Sequence, residues 1–343
     1  MLYVSTRKQE ATFTEYQVLH DERAPDGGLF LPRRIPNFTE EELDALFTKS
    51  FSEIVAKILN QFFPAGLKGW DLEFAMGRRP YKVVNMNHRI YIAELWRNYT
   101  ADFVQTEWSI YNKLCGDDTL HNMPTEWAGI AIRIAVLFGV FAELRKVNVR
   151  NVDIALASND FSAAMVVWYA RVMGLPVGTI ICACNENENM WDLLHSGVFM
   201  PAGSGSDMST CPKDVPFPQS LERLIFEALG FDETQIFLRA CEKGTQYCLD
   251  EEQLTKLNSG LVSAVVSNSR RQALIGSILR THNYVADPHI AIAFGGLQDY
   301  RARTGEGRDT LILSYQSPAF FAETIAAATG LTQEEIIKRT KNA

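Results

Sequence analysis

The feature that most constrains this chain lies between residues 152 and 183. An apolar run, Val152 to Ala157, precedes a helical stretch from Ala163 to Met173. Gly174 and Pro176 follow, and then a second apolar run, Val177 to Ala183. Short, mostly apolar runs bounded by turn residues read as buried strands. Glycine just past the last helical residue, with proline two positions on, stops the helix between them. Strand, helix and strand over short loops make a parallel crossover unit. The chain therefore reads as α/β, with a mostly parallel sheet and a helical shell.

The remaining segments fit around that unit. Residues 1 to 36 read as extended and turn-rich, with a tight turn at Asp26-Gly27-Gly28 and prolines at 32 and 36. Thr39 and Glu42 form a capping-box pattern that opens a helix over Glu40 to Phe47, and a second helix covers Ser52 to Phe62. Val83 to Leu95 reads as a hairpin turning at Asn85 to Arg89. Thr125 to Lys146 is helical, with Trp127, Ile130, Ile134, Leu137, Phe138 and Phe141 spaced by three or four where they share a face. Further helices are predicted over Leu221–Leu229, Arg271–His282, Pro288–Thr304 and Pro318–Thr329. A strand is predicted at Leu311–Ser314, and Met200 to Pro218 reads as a loop.

Charge and cysteine usage narrow the class. A net charge of -8 with no basic run argues against a nucleic-acid surface and against an anionic membrane. The longest apolar stretch, Ala128 to Leu144, is broken by Arg133 and Glu143 and reads as a buried helix rather than a span. Residues 1 to 7 hold no long apolar run, so no signal peptide is expected. Six scattered cysteines suit a reducing compartment, and a cytoplasmic location is expected. Cys182 and Cys184 lie in the second apolar run and read as strand residues. The histidines show no metal-binding spacing, so no metal is expected.

Several blocks resemble one family in order along the chain. Ser5-Thr6-Arg7 and Ala24-Pro25-Asp26-Gly27-Gly28-Leu29-Phe30-Leu31-Pro32 resemble the N-terminus of threonine synthases. Tyr169 to Pro176, Asn185 to Glu188, Ser196 to Phe199, Leu221-Glu222-Arg223-Leu224, Asp287-Pro288-His289 and Ser317-Pro318 continue the likeness. The resemblance implies the tryptophan synthase β-like fold of pyridoxal phosphate enzymes (fold type II). It implies a reaction that converts O-phosphohomoserine and water into threonine and phosphate. It also implies a division into an N-terminal region over 1–80, a remnant of the lysine segment and small mobile domain over 81–120, and a large α/β domain over 121–343.

The chain departs from that family where the chemistry resides. A pyridoxal phosphate enzyme needs a lysine for its Schiff base. The family motif Glu-Leu-Phe-His-Gly-Pro-Thr-x-x-Phe-Lys-Asp lies over Glu94 to Gln105, which places Val104 at the lysine position. The family's Ser-Gly-Asn-Phe-Gly phosphate cradle lies over Ser158-Asn159-Asp160-Phe161-Ser162, without either glycine and with an added negative charge. The bland reading of this loop is a helix cap at Ser158 or Asp160. Tyr315 stands where the family has a small hydroxyl residue, and Phe320 where it has a lysine. The mobile-domain segment after Leu114 is missing, so the small domain is expected to be largely deleted.

These losses predict a threonine synthase-like pseudoenzyme with a binding or regulatory role and no bound pyridoxal phosphate. Its expected partner is a homologous threonine synthase or a second copy of itself. A small amino-acid-like ligand could occupy a remnant cleft lined by Ser158, Asn159, Asp160, Phe161, Ser162 and Tyr315. Two alternatives stand beside this reading. One is altered chemistry in the cleft, with Asp160 and His289 as an acid–base pair. The other is a working pyridoxal phosphate enzyme that uses a different lysine, such as Lys113. Arg270-Arg271 reads as a surface pair.

Overall fold

Eleven strands are described in the computed structural model: β1 (Leu2–Ser5), β2 (Phe13–Thr14), β3 (Phe30–Pro32), β4 (Lys82–Asn87), β5 (Ile90–Glu94), β6 (Val152–Ala157), β7 (Val177–Cys184), β8 (Val198–Phe199), β9 (Tyr247–Cys248), β10 (Leu261–Val265) and β11 (Thr310–Ser314). The structure describes residues 1–8, 10–76, 81–87, 89–97, 101–116, 123–157, 161–185, 189–201, 217 and 219–342.

The central sheet has six strands in the order β10-β7-β6-β11-β5-β4. All neighbours are parallel except β4, which returns antiparallel against β5. The predicted crossover unit is present as β6, helix Ser162–Val172 and β7, and the predicted hairpin is β4–β5. Residues 81–94 thus enter the same sheet as β6 and β7.

Alternate residues of the middle strands serve two separate cores, as the two-residue period of a strand requires. Ile154, Leu156, Ile180, Cys182, Leu311 and Leu313 face one core, together with helix Glu126–Lys146. Ala155, Ile181, Ala183 and Ile312 face the other, against helices Asn268–His282 and Pro288–Thr304. Helix Glu126–Lys146 is the one described helix long and apolar enough to cross a membrane, and it is buried nearly all round. Trp127, in its first turn, stands edge-on to Tyr3, Phe62 and Tyr169 at centroid distances of 6.2, 5.7 and 5.2 Å.

Two of the sequence blocks singled out above are joined in space. Glu222 is fully buried and receives Thr6 Oγ1 at 2.6 Å. It also takes the Arg7 guanidinium through Nε at 3.1 Å and Nη2 at 3.0 Å. Its neighbour Arg223, also fully buried, donates to the Phe30 carbonyl at 2.7 Å, pairs with Glu126 and lies over the Trp127 ring. Leu221 to Leu224 lie inside helix Gln219–Leu229 rather than at its start.

Several elements differ from expectation. Residues 1–36 contain a helix, Glu15–His20, opened by a Thr14/Gln17 capping box. Helices Gly69–Met76, Asn189–Ser196, Phe231–Lys243, Glu251–Leu257 and Gln333–Asn342 were not predicted, and neither was β10. The segment predicted as one helix from Pro318 begins as a 3₁₀ turn, Pro318–Phe321, because proline fixes its first position and Ser317 caps it. The predicted loop over 200–218 falls mostly outside the described residues.

Candidate functional site

In open α/β sheets ligands bind beyond the carboxyl ends of the strands, so the ends of β5, β6, β7 and β11 define the place to look. Of the predicted cleft residues, Ser158, Asn159 and Asp160 lie outside the described residues. Phe161, Ser162, Tyr315 and Val104 are described and lie along this edge, where β6 and β11 end and the helix after β5 begins.

Val104 is the second residue of helix Phe103–Cys115 and is half-buried. Asp102 caps the helix, its carboxylate accepting the Val104 N–H at 3.1 Å. This turn is stitched to the segment after β11. Phe103 N–H donates to the Tyr315 carbonyl at 3.0 Å, and Ser317 N–H to the Ala101 carbonyl at 3.2 Å. The side chains meet as well. Phe103 and Tyr315 stand edge to face with centroids 5.4 Å apart, and the Arg133 guanidinium lies 5.7 Å from the Tyr315 ring centre. Arg133 is held in turn by buried Glu107 at 3.0 Å. Burial pushes the Tyr315 hydroxyl up to about 12, partly offset by Arg133, so it stays protonated and serves as a packing group.

Phe161 occupies the position before helix Ser162–Val172 with φ 60° and ψ 1°, a left-handed conformation that a bulky residue rarely takes. Its ring is buried and no side chain caps the helix from that position. The expected cap at Ser158 or Asp160 falls outside the described residues.

A polar cluster that the sequence did not reveal lies at the end of β5. Glu94, 2% exposed, accepts the Tyr284 hydroxyl at 2.9 Å and is ion-paired with Arg97. Burial, reinforced by the Glu94 and Asp287 charges, holds the Tyr284 hydroxyl well above its ordinary range. Beside it, Asp287 caps helix Pro288–Thr304 and accepts Ser314 Oγ at 3.1 Å. A cavity of about 480 Å³ opens next to this cluster, lined by Glu94, Trp96, Tyr284, Lys338 and Arg339 among others.

His289 does not join a described acid beyond its own turn. Its ring nitrogen lies 3.5 Å from Asp287, which holds its pKa above the ordinary histidine range. Its ring stands edge-on to Phe321. The proposed acid partner, Asp160, lies outside the described residues. Arg270 is not a loose surface cation, because Asp299 holds it through two bonds of 2.6 and 2.8 Å. Cys182 and Cys184 are buried strand residues, and no metal-binding group of three occurs among the described residues.

Pyridoxal phosphate held through a lysine does not fit these residues. Every lysine among the described residues is exposed, and the position that resembles the family lysine is a valine. Lys113 lies nine residues beyond Val104, about 13 Å along the helix, and faces solvent. Lys338 lines the cavity beside Glu94 but belongs to the C-terminal helix, not to the segment after β5. The Phe103–Tyr315 pair fills the space between the two segments.

Residues 2–77 match the family described as Threonine synthase N terminus. A threonine synthase of Methylobacillus glycogenes is 26% identical over 210 residues, which covers 60% of this chain and 44% of that protein. This chain therefore spans less than half the length of that curated relative. A threonine synthase of Pseudomonas aeruginosa is 21% identical over 433 aligned positions, covering 96% of this chain and 90% of that one. Since this chain has 343 residues, the alignment opens gaps opposite a substantial part of that protein. The crystal structure of a pyridoxal phosphate-bound threonine synthase from Brucella melitensis superposes with a TM-score of 0.81 at 20% identity. It covers 96% of this chain and 92% of that one. The fold is that of the type II pyridoxal phosphate enzymes.

Proposed function

This chain belongs to the threonine synthase family, and from that premise we propose that it is a non-catalytic member kept for binding or regulation. The observation that carries the reading is Val104 at the lysine position, on a helix turn closed by Phe103 against Tyr315. Valine offers no nucleophile for a Schiff base, and no described lysine stands in for it.

What is retained supports the same reading. The Thr6–Arg7–Glu222 lock and the bond from Arg223 to the Phe30 carbonyl hold the N-terminal segment to the large domain. Residues of the family-like motifs thus serve the fold, apart from the position where we read the lysine as replaced. The role we assign is association with a homologous threonine synthase or with a second copy, in the cytoplasm, with a small amino-acid-like ligand in the cleft as a secondary function.

A turnover assay tests this. Purified chain with saturating pyridoxal phosphate and O-phosphohomoserine is expected to release no phosphate above background. Release that depends on the added pyridoxal phosphate would end the proposal.

A further inference from the structure

The two edges of the central sheet are treated differently. β4 carries Lys82 and a register shift between Asn85 and Asn87, both of which discourage further strand pairing. β10, Leu261-Val262-Ser263-Ala264-Val265, has no charge, no proline and no bulge against its neighbour β7. Such an edge is a template for another strand unless something covers it.

The hydrogen bonds show which groups are open. Gly260 C=O accepts from Ile180 N–H at 2.8 Å, and Val266 N–H donates to Cys184 C=O at 2.9 Å. In a parallel ladder every second residue turns both backbone groups to the same neighbour. Val262 and Ala264 therefore serve β7, and the N–H and C=O groups of Ser263 and Val265 point outward. No partner for them occurs among the described residues.

This edge opens into a slot. A cavity of about 470 Å³ runs along Val262 to Val265. Trp191 walls it from one side of the sheet, on helix Asn189–Ser196. Gly296, Asp299, Tyr300 and Arg303 wall it from the other, on helix Pro288–Thr304. The flanking helix layers thus overhang the edge strand, leaving a gap with backbone as its floor.

One end of the slot is charged. Helix Pro288–Thr304 starts at the carboxyl edge of the sheet, where Asp287 meets Ser314. It ends at the amino edge, where Arg301 bonds the Arg308 carbonyl and Thr310. Arg303 therefore sits toward the start of β10. It is exposed and has no ion-pair partner among the described residues, whereas Asp299 is already neutralised by Arg270.

We propose that this slot binds an extended peptide of a partner protein as a seventh strand. The peptide runs antiparallel to β10, and its C-terminal carboxylate or a terminal acidic side chain reaches Arg303. Outward N–H and C=O groups supply the main-chain pairing, and the Trp191 and Tyr300 walls receive alternate side chains. The free cation at the amino end selects the direction and the acidic terminus.

The probe is a displayed library of random C-terminal heptapeptides selected on the purified full chain, followed by synthesis of the enriched sequence. It is expected to alternate β-branched residues, to end in an acidic group, and to slow amide exchange at Ser263 and Val265. Ser263→Pro removes an outward N–H at an edge position where proline is tolerated. Arg303→Glu leaves the strand untouched. Each is expected to weaken binding at least tenfold, with N-methylation of alternate peptide amides doing the same. An empty selection, or binders that leave Ser263 and Val265 exchange unchanged, would overturn the proposal. So would a free chain that dimerises with those two amides protected, since a second copy would then fill the slot.

Discussion

Phe103 and Tyr315 are tied twice, by a 3.0 Å hydrogen bond from the Phe103 amide to the Tyr315 carbonyl and by edge-to-face rings 5.4 Å apart. The first contact positions the turn that carries Val104. The second places an aromatic ring beside it, where the resemblance to threonine synthases implies a small hydroxyl residue. On the proposed reading, the valine at the lysine position and the ring packed beside it belong to one arrangement built from two segments.

Restoring the lysine alone should therefore not restore cofactor chemistry. Val104→Lys is expected to show no borohydride-stable labelling with pyridoxal phosphate above the parent chain, because Tyr315 still packs on Phe103. Val104→Lys combined with Tyr315→Ser is expected to label more strongly than either single variant. Peptide mapping of the labelled residue checks both.

The Glu222 lock should dominate the stability of the N-terminal segment. Glu222→Ala leaves Thr6 and Arg7 without their acceptor in a buried setting. A loss of about 3 kcal/mol is expected, toward the low end for broken buried pairs because Arg7 keeps partial exposure. Urea unfolding measures it, with the midpoint falling at an unchanged slope.

Gly174 is required by its backbone. Its φ is +105°, and a Cβ there would lie 2.4 Å from the Phe38 carbonyl oxygen. Gly174→Ala is expected to cost more than about 2 kcal/mol, since overpacking and an unfavourable φ add. Thermal unfolding of the variant tests this directly.

Glu227 should give the protein a pH dependence of stability. It accepts the Tyr169 hydroxyl at 2.7 Å, and burial raises its pKa above the ordinary 4.5. A carboxyl that binds its proton more tightly when folded favours folding fully below about pH 4.5. That advantage is lost as pH rises through the raised folded value. Glu227→Gln keeps an acceptor for Tyr169 and removes the titration. Unfolding measured across this range should show a smaller decline for the variant than for the parent.

How much of this was legible in the sequence depends on the range of the signal. The strands β6 and β7 and the helix between them announced themselves because two mostly apolar runs flank a helical stretch closed by Gly174 and Pro176. The edge strand β10 did not, since its five residues are broken by Ser263 and are too few to show either period. Helix Gly69–Met76 escaped because Trp70, Leu72, Phe74 and Met76 surround it rather than marking one face. The helices at Glu15 and Glu251 did carry capping boxes, Thr14/Gln17 and Asp250/Gln253, which were a usable signal.

The site divides along the same line. Val104 and Tyr315 were found by matching motifs, each within its own segment. Their contact through Phe103 spans more than two hundred residues, and the Glu94–Tyr284 bond spans 190, so neither leaves a local trace. Thr6 and Glu222 were both visible as motif residues, yet nothing in either motif says that they bond to each other.

The central claim is tested most directly by mixing the purified chain with pyridoxal phosphate, recording the absorbance spectrum, reducing with borohydride and mapping the peptides. The account predicts no new band at the visible edge and no lysine labelled in a defined stoichiometry. A single lysine trapped at full occupancy, whether Lys338 beside Glu94 or Lys113 on the Val104 helix, would contradict it and make that lysine the site of the chemistry.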